Sequence, residues 1–273
     1  MRPRSLRSLF AIAAALTALV ALGPPSAAAT TTPAAGYEQF AGCPHPGENP
    51  LIVTCYRRTV SSGTFQMGNL ELNLLPTTLS GGMTASGAFS ASPKGGLQQV
   101  KLTVPGGVVG LTGFTWLLEF FSAEALAAKA VFELTAVPSD PLADPLTMPV
   151  RIHLINPVLG NNCYLGTAKK PILLNLTTGT TSPPAPNSPL TGSPGTPSTT
   201  LPAEINDLSG AQHVDNSFVD QGANGCVLTL FGFPPVSINE VINEQQELPS
   251  AAGTNTTIQS FSSEDAAAAT VYP

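Results

Sequence analysis

Three histidines, His45, His153 and His213, supply the imidazoles for any acid–base or metal chemistry in this chain of 273 residues. His213 stands in the most suggestive setting, His213-Val214-Asp215-Asn216-Ser217-Phe218, with Asp220 close behind. An imidazole beside carboxylates suits a general base or a partial metal-ligand set. Hydrolysis by a serine requires a base that accepts its proton and usually a strained elbow, and no GxSxG motif occurs. Calcium requires several oxygens around one tight loop. Asp215-Asn216-Ser217 supplies them only in part and reads as an Asx-type turn before Phe218. His45, between two prolines, and His153, alternating with Arg151 on a polar strand face, read as structural. No catalytic residue, metal ligand or cofactor is assigned on this basis. His213 and Asp215 are the first candidates if the chain hydrolyses a substrate. Trp116, within Gly113-Phe114-Thr115-Trp116-Leu117-Leu118, reads as core rather than as a sugar platform, because the four tyrosines show no regular spacing around it.

The four cysteines Cys43, Cys55, Cys163 and Cys226 carry the other chemistry. Their spacings contain no CxxC and match no structural zinc module, although His45 follows Cys43 by two residues. They read as two disulfides. Of the three possible connectivities, Cys43–Cys55 with Cys163–Cys226 keeps each bridge within its own half of the chain. Each closure is worth roughly 3 to 4 kcal/mol in the chain-entropy model.

Disulfides require an oxidising compartment, and the N-terminus reads as an export signal. Arg2, Arg4 and Arg7 precede an apolar run from Leu9 to Leu22, then Gly23-Pro24-Pro25 and Ala27-Ala28-Ala29. This is signal-peptide grammar, with cleavage expected after Ala29. The apolar run falls short of the roughly 20 residues of a membrane span, so no transmembrane anchor is expected. The expected location is extracellular, with loose cell-wall association as the alternative to free release. Without the three leader arginines, eight basic side chains face seventeen acidic ones, a net charge of about minus nine that argues against nucleic acid as a partner.

The elements that would position these residues read as mainly β, in an antiparallel sandwich-like arrangement. Leu70, Leu72 and Leu74, then Val100, Leu102 and Val104, then Val150, Ile152 and Leu154, then Ile172, Leu174 and Leu176 alternate with their neighbours at period two. Residues 30–42 read as a flexible arm, 43–137 as a β-rich first half, and 138–149, with four prolines, as a connection. Residues 150–253 read as a β-rich second half and 254–273 as a C-terminal tail. Residues 177–203, with seven prolines among Thr, Ser and Gly, read as a long irregular loop. Ser122 to Ala130 has helix-forming composition, whereas 131–135 suits a strand. A late amphipathic helix is expected, with Ser237 and Glu240 as its capping box, Glu240, Glu244 and Glu247 outward, and Pro249 as its stop.

The phrases Asn161-Asn162-Cys163-Tyr164-Leu165-Gly166, Pro171 to Pro184, Val214 to Phe218, Gly225-Cys226 and Leu248 to Gly253 resemble a group of secreted actinobacterial proteins of unknown function. The resemblance spans roughly Pro149 to Gly253. It implies export and a paired cysteine frame, and brings no activity, ligand or site residue. The expected function is a non-catalytic surface or matrix module that binds a protein, a glycan or an apolar ligand. The alternatives are a secreted hydrolase with a dispersed site and a carrier of an apolar small molecule.

Overall fold

The computed structural model describes residues 32–92, 96–230 and 232–273. The leader and its cleavage site after Ala29 lie outside the described residues. The strands, in chain order, are Ile52–Met67 (β1), Leu70–Leu74 (β2), Thr77–Thr84 (β3), Phe89–Ala91 (β4), Leu97–Gln99 (β5), Leu102–Thr103 (β6), Lys129–Leu134 (β7) and Leu146–Ile155 (β8). They continue with Tyr164–Leu165 (β9), Ile172–Leu176 (β10), Thr196–Thr200 (β11), Ile205–Asp215 (β12), Ala223–Asn224 (β13), Val227–Leu228 (β14), Val236–Ser237 (β15) and Thr256–Ala267 (β16). The helices are Gly107–Thr112 (α1), Asn239–Gln246 (α2) and Ala268–Val271 (α3). None is long and apolar enough to cross a membrane.

The fold is mainly β and antiparallel. A large sheet runs β11-β12-β16-β1-β3-β4, with β2 and β5 added beside β1 and β3; a smaller one runs β13-β9-β8-β7-β6, with β10 beside β8. The alternating leucines, isoleucines and valines explain how the sheets meet. Leu70 and Leu72 from the large sheet and Val150, Ile152, Leu154, Ile172 and Leu174 from the small one are buried in one core. Phe65 of β1 joins them, its ring edge-on to Phe132 of β7 at 5.0 Å and stacked on Phe218 at 5.1 Å. A second cluster covers the opposite face of the large sheet, where Phe40, Ile52, Ala266 and Val271 pack around the Cys43–Cys55 bridge.

Two of the register slips in the large sheet flank β16; a third separates Ile52 from Thr54 of β1 opposite β3. The β1 register slips between Val60 and Ser62, and the β12 register slips between Leu208 and Ala211; both slips lie beside Phe261 of β16. An extra residue reverses the alternation on its own strand. The cross-strand register therefore groups Arg58 and Val60 with Phe65 and Met67 on the face toward the small sheet, and groups Leu208 with Ala211 and His213 likewise. Gly63, just past the first bulge, lies so close to β16 that a Cβ there would meet the Ile258 carbonyl oxygen at 2.1 Å.

Several elements depart from the sequence reading. Residues 254–273 form no tail: β16 lies inside the large sheet, bonded to β1 on one side and β12 on the other. The expected flexible arm is pinned from residue 34 onward. Ala34 donates its amide to the Val271 carbonyl at 2.8 Å, and the Tyr37 hydroxyl donates to the Ala203 carbonyl at 2.7 Å. Residues 138–149 do not divide the sheets: β8 starts at Leu146, and the chain before that segment contributes to both sheets. The expected irregular loop 177–203 is ordered by hydrogen bonds rather than by apolar burial. Thr177 bridges Val214, Thr180 bridges Thr191, Ser193 bridges Gln212, and β11 pairs with β12. Val100 is exposed because the chain crosses between sheets there, from β5 beside β3 to β6 beside β7. Residues 122–127 form turns rather than a helix.

The late helix α2 exposes Glu240 and Glu244, as expected, with Glu247 exposed at its end. Its N-cap is Ile238 with no side-chain cap bond, so the Ser237 capping box does not form; Ser237 belongs to β15. Asn239 instead accepts the Cys226 amide at 2.8 Å.

Both expected disulfides, Cys43–Cys55 and Cys163–Cys226, are present. The second closes a separation of 63 residues. Replacing both of its cysteines with serine is expected to lower unfolding free energy by roughly 4 kcal/mol, read as a drop in the urea midpoint. Ending the chain after Gly253 removes β16, and circular dichroism should then show no cooperative thermal transition.

Candidate functional site

The sequence-predicted candidates separate in the structure. His45 accepts the Gly47 amide on Nδ1 at 2.9 Å and meets the Tyr272 ring edge at 4.8 Å. His153 is held between the Asn161 carbonyl, 3.1 Å from Nε2, and Glu133, 3.3 Å from Nδ1, and it stacks on Tyr164. Asp220 is buried and accepts the Gly222 amide at 2.8 Å; burial raises its pKa above the usual carboxylate value.

Asp215 is fully buried. It accepts the Asn175 amide at 2.7 Å and both the amide and hydroxyl of Ser217 at 2.8 Å. The Asx-type turn read from the sequence is therefore present, and it ties β12 to β10. His213 shares the Asp215 strand face by period two, yet the carboxylate is engaged elsewhere. Among the described residues, no three His, Cys, Asp or Glu side chains converge as a metal site.

Trp116 is not core. It lies on a short 3-10 helix, Thr115–Glu119, from which only Leu117 turns inward. Trp116 is 40% exposed and Phe120 72%, with their rings 6.2 Å apart. Asn255, which opens the Asn-X-Thr sequon Asn255-Thr256-Thr257, is fully buried and donates to the Phe218 carbonyl at 2.8 Å, so it cannot carry a glycan in the folded chain.

The feature that sequence reasoning missed is a cavity of about 60 Å³ between the sheets. The small sheet lines it with apolar side chains only: Phe132, Leu146, Met148, Val150, Leu174 and Leu176. The large sheet adds Val60, Leu74, Leu79 and Leu97, together with the polar Arg58, Thr77, His213 and Gln259. Val60, Leu74, Thr77, Leu97, Phe132 and Met148 are half-buried and mark its more open part, whereas Arg58, His213 and Gln259 are buried.

The polar end has unusual electrostatics. Arg58 is only 8% exposed. One of its terminal nitrogens, Nη2, donates to the Pro141 carbonyl at 2.8 Å, and the guanidinium lies 4.6 Å from the Phe261 ring centre. Its Nε and Nη1 are buried without a hydrogen-bond partner among the described residues, and no carboxylate pairs with it there. His213 stacks on Phe261 at 4.1 Å, and its Nδ1 is likewise buried and unbonded. Burial, reinforced by the Arg58 charge and opposed by Asp144, pulls the His213 pKa from 6.5 to about 3. The ring is neutral at pH 7.

No family model matches the chain, nor does any curated protein or any solved structure.

The His213 shift fixes the sign of a pH effect. Between pH 6.5 and about 3 the unfolded chain binds a proton at this residue that the folded chain refuses, so stability is lost as pH falls through that window. His213→Phe keeps a stacking ring and removes the effect. The stability gap between variant and parent, from urea unfolding at pH 7 and pH 4, is expected to move in favour of the variant by a few kcal/mol in acid, on the order expected for a shift of this size. Parallel profiles would show that His213 does not titrate this way.

Proposed function

We propose that this is a non-catalytic binding protein of the extracellular space that holds a small apolar molecule between its two sheets. The observation that carries this reading is the inter-sheet cavity, walled by leucine, valine, methionine and phenylalanine side chains, with Arg58, His213 and Gln259 at its buried end and Thr77 in its more open part. Small-molecule sites generally combine an apolar lining with a small number of placed polar groups. The two disulfides and the export leader read from the sequence support a location outside the cytoplasm.

A hydrolase reading draws no support from His213. A general base requires an acceptor nitrogen aimed at a nucleophile, usually with a third group orienting the ring. Here the ring lies flat on Phe261, its Nδ1 has no carboxylate partner, and Asp215 is committed to Asn175 and Ser217.

The test is methyl NMR of the whole chain titrated with 1-octanol. Shifts are expected at Leu79, Val150 and Leu174. In Val150→Phe, which fills the same space, they should fall at least tenfold in apparent affinity. Perturbations confined to the exposed patch around Trp116 and Phe120 would overturn the cavity as the binding site.

A further inference from the structure

An arginine cannot shed its proton inside a protein. A buried guanidinium therefore keeps its charge and requires a compensating partner. The side chain has five N–H donors. Among the described residues those on Nε and Nη1 are buried without a hydrogen-bond partner, and the charge is met by the Pro141 carbonyl, by the Phe261 and Tyr56 rings at 4.6 and 5.9 Å, and by the neighbouring Tyr56 hydroxyl. Ring faces attract a cation but accept no in-plane hydrogen bond of the kind a guanidinium fork offers. Arg57 and Arg151, by contrast, pair with Glu264 and Glu133 on half-exposed surface. Arg58 differs from both in lining the cavity.

The shape of the space limits what can meet that fork. The apolar walls favour a hydrocarbon body, and the buried end presents a fixed positive charge beside a neutral imidazole whose Nδ1 has no hydrogen-bond partner among the described residues. A carboxylate has the planar, two-oxygen geometry that an arginine fork matches. The volume suits a body of modest size, and any longer chain would have to pass the half-buried lining residues rather than Arg58, His213 and Gln259.

We propose that Arg58 anchors the carboxylate of a small apolar acid whose hydrocarbon part lies between the two sheets, with His213 flanking the same head group. The proposal rests on the cavity being a binding site and adds the chemical class of its ligand. Arg58 is a binding residue in this account, and no covalent step is involved.

Three ligands with one tail and different heads, octanoate, 1-octanol and octylammonium, separate the two claims when titrated calorimetrically into the whole chain at pH 7. Octanoate is expected to bind tenfold or more tighter than 1-octanol, the margin typical of a hydrogen-bonded charge, and octylammonium weakest of the three. Arg58→Met is expected to bring octanoate to the level of 1-octanol while leaving 1-octanol binding in place, and Arg58→Lys to give an intermediate ratio because it keeps the charge without the fork. If all three bind the parent equally, or octylammonium equals octanoate, the carboxylate assignment falls and the apolar cavity reading stands. If none perturbs the cavity methyls, both fall. The comparison within the parent chain decides even where Arg58→Met fails to fold.

Discussion

The large sheet is held together by one strand that the chain reaches last. β16 takes backbone hydrogen bonds from β1 along one edge and from β12 along the other, joining segments about two hundred residues apart in sequence, as in Thr54 opposite Ala267. Without it β11 and β12 would have no connection to the rest of the sheet. The bulges in its two neighbours are defined against it, and those bulges decide which side chains face the smaller sheet. The cavity, the placement of Arg58 and the burial of His213 all follow from that ladder.

The two sheets bring unequal chemistry to their interface. The small sheet is apolar where it faces the cavity, as its leucine, isoleucine and valine alternation dictates. The large sheet mixes Leu79 and Phe65 with Arg58, His213, Gln259 and Thr257 on the same side. Gln259 donates to Thr257 at 3.3 Å, and Asp215 accepts two backbone amides and the Ser217 hydroxyl, so part of this polar row is satisfied internally. Arg58 and the Nδ1 of His213 are the members of the row left with unmet donors or acceptors. Leaving a buried polar group unmet is costly, and within this row that cost falls on the two side chains at one end of the cavity.

The same contrast explains which parts of the structure were legible in the sequence. Leu70–Leu74, Val150–Leu154 and Ile172–Leu176 pair apolar alternation with burial, so their strands and inward faces could be read directly. The cysteine pairing was legible because both bridges link residues within one half of the chain. β16 was hidden because its inward residues Thr257 and Gln259 are polar, which removes the period-two signal and makes the segment look like a tail. Arg58 was hidden by the same rule, since a charge next to Arg57 on a strand suggests solvent, and a bulge three residues later disguises the parity. The 177–203 segment was misjudged because its order comes from hydroxyl and backbone hydrogen bonds, a contribution that hydrophobic content does not measure. His213 and Asp215 were correctly seen as neighbours, but period two reports a shared face and not a shared partner.

The hydrogen bond between Ala34 and Val271 places the two outer stretches of the described chain side by side. A short peptide could join them into a ring, and new termini could then be opened in the exposed residues 232–235, away from the large sheet. Such a circular permutant would deliver β16 and β1 as consecutive segments, converting the most distant pairing in the molecule into a local hairpin-like one. Because folding slows as contacts become more distant in sequence, the rearranged chain would reach the same architecture by a shorter search.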